Sequence, residues 1–280
     1  MNNILLITGG TGSFGNAFLK GAIQKDIYSE IGTAIDAVAA NTKPMHAIFI
    51  KDFKLASLNY TRQFLNFGYS EIKVEPNFII KLNPEWKSFE DYKNILKSKY
   101  RIKANKADSM SSTLETRIFS EQDFITYKHE LQALYQNTID KASFNAQVLN
   151  LNTYSHLSTS LKNDFIVKGY FLEKRLVGFL TALVNDNKLD AHFIGLDYDL
   201  NKSHSIYPRI LNDYIRIGIK KQVLSINLGR TASEIKTTIG ANPLDLSCYI
   251  KHKNPFFNML IKPFLKRIKI KEFKQHSPFK

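Results

Sequence analysis

Ile226-Asn-Leu-Gly-Arg-Thr-Ala-Ser-Glu-Ile-Lys-Thr-Thr-Ile-Gly-Ala241 reads as a strand, a sharp polar turn and a short helix. Val223–Leu228 reads as a strand, Gly229 breaks it, and Ser233–Ile239 reads as a short helix. Working outward, Tyr207–Lys221 is a helix introduced by Ser203 and Ser205, with Pro208 tolerated in its first turn. Lys188–Asp197 reads as a strand, and Phe165–Val184 as a β-hairpin turning at Glu173-Lys174-Arg175. Asp245–Lys251 is the last strand. The order β-β-β-α-β-α-β implies an α/β (α+β) protein with a mixed sheet.

The first half is less regular. Ala47–Lys51 is a strand, Leu55–Phe67 has helical spacing stopped by Gly68, and Phe78–Leu82 is a second strand. Ser88 with its nearby acids is a helix cap, and that helix runs into the cation-rich Lys97–Lys106. Asp108–Thr113 reads as a polar link and Glu121–Asp140 as one long amphipathic helix.

Bulk properties narrow the classes. A single cysteine, Cys248, excludes an internal disulfide and a multi-cysteine metal site. The seven histidines lack metal-ligand spacing, so no metal is expected. No run approaches eighteen apolar residues and no signal-peptide pattern opens the chain, which predicts a cytoplasmic protein. The net charge of +14 predicts an anionic partner: nucleic acid, a membrane surface or a polyphosphate-bearing carrier. Residues 251–280 hold nine Lys/Arg against the single acid Glu272, nine minus one giving +8.

A second signal competes. Thr8-Gly-Gly-Thr-Gly-Ser-Phe-Gly15 fits a TGxxGxxG nucleotide-binding pattern, similar to the extended short-chain dehydrogenase/reductase family. The acid of the next strand, Asp52, lies 37 positions beyond Gly15, where about 20 is expected. The family's Tyr-x-x-x-Lys spacing occurs at Tyr170…Lys174, inside the hairpin, and no βαβ repeat follows residue 55. An NAD(P)-dependent sugar-nucleotide enzyme remains an alternative resting on Thr8–Gly15.

The chain resembles the GNAT acyltransferase superfamily, and more closely its Fem-type peptidyltransferase and peptidoglycan-biosynthesis-like branch, over about residues 46–252. The resemblance is carried by Ile48–Asp52, Gly68-Tyr-Ser-Glu-Ile-Lys-Val-Glu-Pro-Asn77, Tyr92…Leu96…Lys99-Tyr-Arg-Ile-Lys-Ala104, Gly178-Phe, Ala191-His-Phe-Ile-Gly-Leu-Asp-Tyr198, Tyr207…Ile210, and Asn227-Leu-Gly-Arg-Thr-Ala-Ser-Glu-Ile-Lys236…Gly240-Ala. It implies tandem GNAT-like halves: residues 1–110, residues 111–254, and a basic amphipathic tail, 255–280. The family's (Arg/Gln)-x-x-Gly-x-(Gly/Ala) pyrophosphate loop is missing between Asp197 and Tyr207. The implied activity is transfer of an acyl or aminoacyl group from a carrier (acyl-CoA, acyl carrier protein or aminoacyl-tRNA) to an amine of a cell-envelope or lipid precursor. The acyl carrier acts as co-substrate, with no permanently bound cofactor.

Acyl transfer needs a polarised carbonyl, a base for the nucleophile and an acid for the leaving group. His192 is a candidate base because histidine titrates near neutrality. Strand alternation places it on one face with Ile194, Leu196 and Tyr198, and Asp197 on the other. Tyr207 at a helix start is a candidate acid, and Glu234 a further catalytic candidate. Arg230, Thr231 and Lys236 around the short helix, with Asp197, are candidate binding residues, since Arg and Lys there could grip phosphate or carboxylate. Arg101 and Lys103 of the basic helix are candidates for a phosphate chain or tRNA. Pro255–Ile270 mixes bulky apolar residues with cations, as expected of a segment lying on an anionic membrane surface at the inner face of the membrane. A non-catalytic GNAT-like module that recruits partners is the remaining alternative.

Overall fold

The computed structural model describes residues 4–8, 27–42, 45–141, 148–265 and 267–280, the side chains of 4–8 and 27 excepted. The chain forms two compact units, Met1–Asn77 with Pro243–Phe273, and Phe78–Asn242 with Lys274–Lys280. The expected halves divide the chain at residue 110, whereas these units divide it at Asn77 and draw on both ends of the sequence. The Gly-rich stretch beyond Thr8 lies outside the described residues.

In the first unit, β1 (Ile4–Thr8) pairs parallel with β2 (Ala47–Lys54), and β2 pairs antiparallel with β9 (Asn242–His252). β9 in turn lies beside the first part of β3 (Ser70–Lys81). Thus the last strand of the sequence closes the sheet of the first unit. Alternation in β2 buries Ile48, Ile50 and Phe53 on one side, across a register shift at Asp52. They pack with Ile35 and Ala39 of α1 (Ile27–Asn41), and with Phe64, Tyr69 and Tyr249. Leu55–Phe67 is not one regular helix but 3-10 turns around α2 (Leu58–Thr61), and Gly68 ends them at φ 81° with its N–H donating to Leu65 O. α11 (Pro255–Leu265) belongs to this unit.

In the second unit the strand order is the end of β3, β8 (Ser225–Asn227), β7 (Lys188–Leu196), β6 (Arg175–Asn185), β5 (Phe165–Leu172) and β4 (Glu115–Ile118). Only β7 and β8 run parallel here; the other neighbours are antiparallel. The hairpin turns at Glu173 and Lys174, both with positive φ (48° and 69°), as a two-residue loop requires. Period-2 alternation divides β5. Phe165, Val167 and Phe171 join a core with Phe124, Leu131, Leu134, Tyr135 and Tyr154, contributed by α5 (Glu121–Thr126), α6 (Lys128–Lys141) and α7 (Thr153–Leu161). Lys168 and Tyr170 instead reach Asp213 of α9 (Ile206–Lys220). α9 buries Ile206, Ile210, Leu211, Tyr214, Ile215 and Ile219, an i, i+4 stripe.

Two expectations are corrected here. Glu121–Asp140 is two helices: Ser120 and Asp123 form the capping box that starts the first, and Tyr127, at φ −104° and ψ 20°, leaves helical geometry and separates them. Asp108–Thr113 is not a link. α4 (Ser98–Met110) continues through Asp108, whose carboxylate pairs with Arg216 and Arg209 of α9.

Candidate functional site

The parallel register of β7 and β8 ends at Asp190↔Asn227, although β7 continues to Leu196. Asn227 seals this point: its amide donates to Asp190 Oδ1 (2.9 Å) and its Oδ1 accepts from Gly229 N (3.0 Å). The turn that follows holds Gly229, Thr231 and Ala232 at φ 68°, 62° and 46°, a left-handed path costly for the two non-glycine residues. Lys236 holds it. From α10 (Ser233–Thr238), this lysine, 4% exposed, donates to the carbonyls of Leu228 (2.6 Å), Gly229 (3.3 Å) and Arg230 (2.5 Å). An ammonium has three donors, and all three face backbone oxygens. The expected grip of Lys236 on a phosphate is therefore replaced by a clasp on its own loop.

α10, α4 and α9 line a cavity of about 450 Å³. α4 contributes Tyr100, Lys103, Ala104, Lys106 and Ala107; α9 contributes Pro208, Leu211 and Asn212, with Ser205 just before it. α10 and the residue after it add Glu234, Ile235, Thr238 and Ile239, and Tyr92 of α3 (Phe89–Asn94) completes the wall. This size and its few polar groups on an apolar lining suit a small-molecule site. Asn212 anchors α9 to α4 by donating to Ala104 O (3.0 Å) and Asp108 Oδ1 (3.1 Å).

The C-terminal segment finishes the site. Phe279 bridges to Leu96 and sits edge-on to Tyr92 (6.2 Å), which donates from its hydroxyl to Ile239 O (3.0 Å). Gly240 has φ 92°, and a Cβ there would lie 2.2 Å from Phe279 Cζ, so this position needs glycine twice over. Lys97 N donates to Pro278 O (2.8 Å) and Lys280 N to Ile95 O (3.0 Å). His276, its side chain 9% exposed, then reaches Tyr100 Oη through Nδ1 (3.1 Å) and Glu234 Oε1 through Nε2 (3.2 Å). Lys99 and Lys103 stand over the Tyr100 ring at 5.9 and 5.8 Å. Residues 274–280 are thus docked on the second unit, whereas the rest of the expected tail, through Phe273, belongs to the first.

Of the sequence candidates, Glu234 and Lys103 meet in this cavity; the others lie outside its lining. Arg101 is on α4 away from the lining, and Arg230 and Thr231 belong to the clasped turn. Asp197 caps α8 (Tyr198–His204) by accepting from Asp199 N and Leu200 N, and pairs with Arg175 (3.0 Å). Tyr207, at the start of α9, has its hydroxyl pushed up by burial, first, and by Tyr198. Its N–H is taken by Asn201 Oδ1 (2.8 Å).

His192 departs from the alternation expected of it. Leu180 opposes Ile194 but Ala182 opposes Ala191, so Thr181 faces both His192 and Phe193 across a bulge. Thr181 Oγ1 satisfies both backbone groups of Phe193, at 2.8 Å each. The His192 ring packs on Phe193 (4.4 Å) and Tyr154 (6.4 Å). The residue keeps an open edge, yet the dense surroundings of the ring push its pKa down to about 4, against a smaller raising effect of Asp190. Such an imidazole holds a proton poorly at neutral pH, which argues against a general base. The fold then binds fewer protons than the unfolded chain, so His192 favours folding above 6.5 and loses that contribution as pH falls toward 4. His192→Asn is expected to flatten the decline of Tm between those pH values, measured by scanning calorimetry.

Sequence reasoning missed Tyr100 and His276, which lie 176 residues apart, and no local pattern joins them. It also missed a buried ion cluster. Asp213, fully buried, accepts from Lys168 (2.7 Å), Tyr170 (2.9 Å), Arg209 (3.2 Å) and Arg216 (2.8 Å). Among the described residues, no group of His, Cys, Asp or Glu could hold a metal ion, and no helix is long and apolar enough to cross a membrane.

No family model matches the sequence, and no curated protein matches it. Solved structures do. FemX superposes with a TM-score of 0.57 at 9% identity, over 92% of this chain and 82% of that one. The C-terminal domain of a protein described as a lysylphosphatidylglycerol synthetase, from Agrobacterium fabrum, gives 0.57 at 9% identity, over 86% and 77%. A tandem GNAT protein from the clavulanic acid biosynthesis pathway gives 0.53 at 9%, over 84% and 73%. Strand order, the β7–β8 divergence and these superpositions agree: this chain has the GNAT fold, in the form it takes in FemX and the tandem GNAT proteins.

Proposed function

We propose that this protein transfers an acyl or aminoacyl group from a polyanionic carrier to an amine of a cell-envelope or lipid precursor, in the cavity between α4, α9 and α10. The observation that carries the reading is this cavity, lysine-rimmed by α4, on a GNAT fold. The amine displaces the carrier at the carbonyl: a C–N bond forms, the bond to the carrier's sulfur or oxygen breaks, and the amine's proton goes to the leaving group.

The first turn of α9 offers little to a pyrophosphate. Tyr207 N is used by Asn201, Pro208 has no N–H, and Arg209 N donates to Ser205 O (2.9 Å). We therefore assign the carrier's phosphates to side chains, Lys103 and Lys106 at the cavity. This favours an aminoacyl-tRNA over coenzyme A. Thermal stability against acetyl-CoA, long-chain acyl-CoA, acyl carrier protein thioester, aminoacyl-tRNA and NADP(H) tests this. A ligand at 100 times its Kd stabilises by about 2.7 kcal/mol. Stabilisation by an acyl carrier supports the reading; stabilisation by NADP(H) alone would shift the assignment to the glycine-rich start.

The acceptor side is supported by α11. No residue of this helix is buried, and Phe256, Phe257, Met259, Leu260 and Phe264 are exposed, Phe264 by 69%. Lys253, Lys262, Arg267, Lys269 and Lys271 flank them in sequence. Shallow insertion of the aromatics with cations at the headgroups would hold the protein at an anionic membrane surface. In flotation with phosphatidylglycerol vesicles, Phe256→Glu with Phe264→Glu is expected to abolish binding; flotation equal to wild type would remove α11 from this role.

A further inference from the structure

We propose that Tyr100 is the catalytic proton-transfer residue of this cavity, with His276 and Glu234 as the positioning pair that draws its proton away. The inference rests on the acyl-transfer reading for its reaction but not for its test.

Three observations support it. Tyr100 and Glu234 both line the cavity, so a bound substrate would meet the phenol oxygen. Tyr100, His276 and Glu234 form an unbroken chain at 3.1 and 3.2 Å, within hydrogen-bond reach at each step. The polarity of that chain follows from donor chemistry. A carboxylate only accepts, so Nε2 of the ring carries the proton toward Glu234. In the neutral ring Nδ1 is then a lone pair, and Tyr100 Oη–H is its donor. The phenol oxygen keeps its own lone pairs for the cavity.

His276 is held for this task by its backbone. Its N–H donates to Thr237 Oγ1 (3.1 Å), and Lys97 Nζ donates to the next carbonyl, Ser277 O (3.0 Å). The charged groups facing the relay are Lys99 and Lys103 over the phenol ring, with Lys106 across the cavity lining.

During transfer, the attacking amine forms its bond to the carbonyl carbon of an acyl thioester or aminoacyl ester and becomes cationic. Its proton moves to Tyr100 Oη while the phenol proton moves to His276 Nδ1, and Glu234 stabilises the resulting imidazolium. Reversal of the same relay returns one proton to the departing thiolate or alkoxide. The products are an amide and the free carrier, with protons in balance. A proton-relaying hydroxyl, a base and an orienting carboxylate thus meet in the geometry such relays require, here with the base supplied by the segment 274–280.

The test needs no acyl donor. Benzenesulfonyl fluoride reacts with a tyrosine whose proton is being withdrawn, forming a sulfonate ester and releasing fluoride. Peptide mass spectrometry is expected to find Tyr100 as the fastest-labelled of the chain's 13 tyrosines. His276→Asn is expected to slow that labelling at least tenfold and Glu234→Gln several-fold, with exogenous imidazole restoring it in His276→Gly. Because Glu234 is largely exposed, Glu234→Gln carries the test if the His276 variants lose stability. Slow labelling of Tyr100, or labelling equally fast in Glu234→Gln and both His276 variants, would overturn the proposal. A carrier panel that gives no stabilisation would overturn the transfer reading and leave the labelling result intact, so the two failures are separate.

Discussion

Asp213→Asn is expected to lower the unfolding free energy by about 3–5 kcal/mol, because it strands three part-buried cations around a fully buried position. Asp213 is fully buried, and Lys168, Arg209 and Arg216 converge on it at 2.7–3.2 Å. Burial alone would raise its carboxyl; Lys168 and Arg209 outweigh burial and hold it below the usual carboxylate range. A pKa lowered in the fold means stability present above the unfolded value of 3.8 and lost as pH falls below it. The variant should therefore shift the urea midpoint strongly at pH 7 and lose the wild type's acid-side decline. Asp108 still reaches Arg209 (3.7 Å) and Arg216, and at 24% side-chain exposure its own replacement by Asn should cost less. A loss under about 1 kcal/mol for Asp213→Asn would show that the cations relax to water, as exposed ion pairs do.

Lys236→Met is expected to cost a comparable amount, about 3–5 kcal/mol, by a different route. Methionine fills much of the lysine stem's space but cannot donate. The carbonyls of Leu228, Gly229 and Arg230 lose the ammonium that bonds each of them. Gly229 O keeps the Phe78 N–H (3.0 Å), so the cost falls chiefly on the buried Leu228 carbonyl, about 1–3 kcal/mol for its lost partner, and on the turn itself. The left-handed Thr231 and Ala232 would then lose the bonds that offset their backbone strain. Urea unfolding measures the loss, and hydrogen exchange should show faster opening of 228–240 than of β6. Wild-type stability in Lys236→Met, with weakened carrier binding, would instead return this residue to the ligand-binding role that its sequence position suggested.

These two residues show what was legible in the sequence and what was not. The 165–184 hairpin, α9 and the Ser88 cap are local: alternation, helical periodicity and a capping box act over a few residues, and each is where the pattern puts it. Lys236 was visible as a cation beside Glu234, but whether its three donors face a ligand or the turn depends on the path of Gly229–Ala232. The bulge opposite Thr181 has no marker in Ala191-His-Phe-Ile194, so His192 was expected on a clean alternating face. Asp108 read as part of a link because its partners, Arg209 and Arg216, arrive from α9 a hundred residues later. Glu234 was singled out from its neighbours; His276, which gives it a chemical context, comes from a segment that composition alone described as a basic tail. Likewise, nothing in Asp245–Lys251 says that this strand pairs with β2, about two hundred residues earlier in the same unit.

The measurement that tests the central claim most directly is transfer itself. Purified protein is incubated with radiolabelled aminoacyl-tRNA, acetyl-CoA or long-chain acyl-CoA, each with phosphatidylethanolamine vesicles or a lysine-containing muropeptide as amine acceptor. The account predicts that label leaves one carrier, appears in an amide in equal amount, and that Tyr100→Phe slows this by about 10²–10³-fold. No discharge of any carrier above the uncatalysed rate, by a protein that NADP(H) alone stabilises, would contradict it.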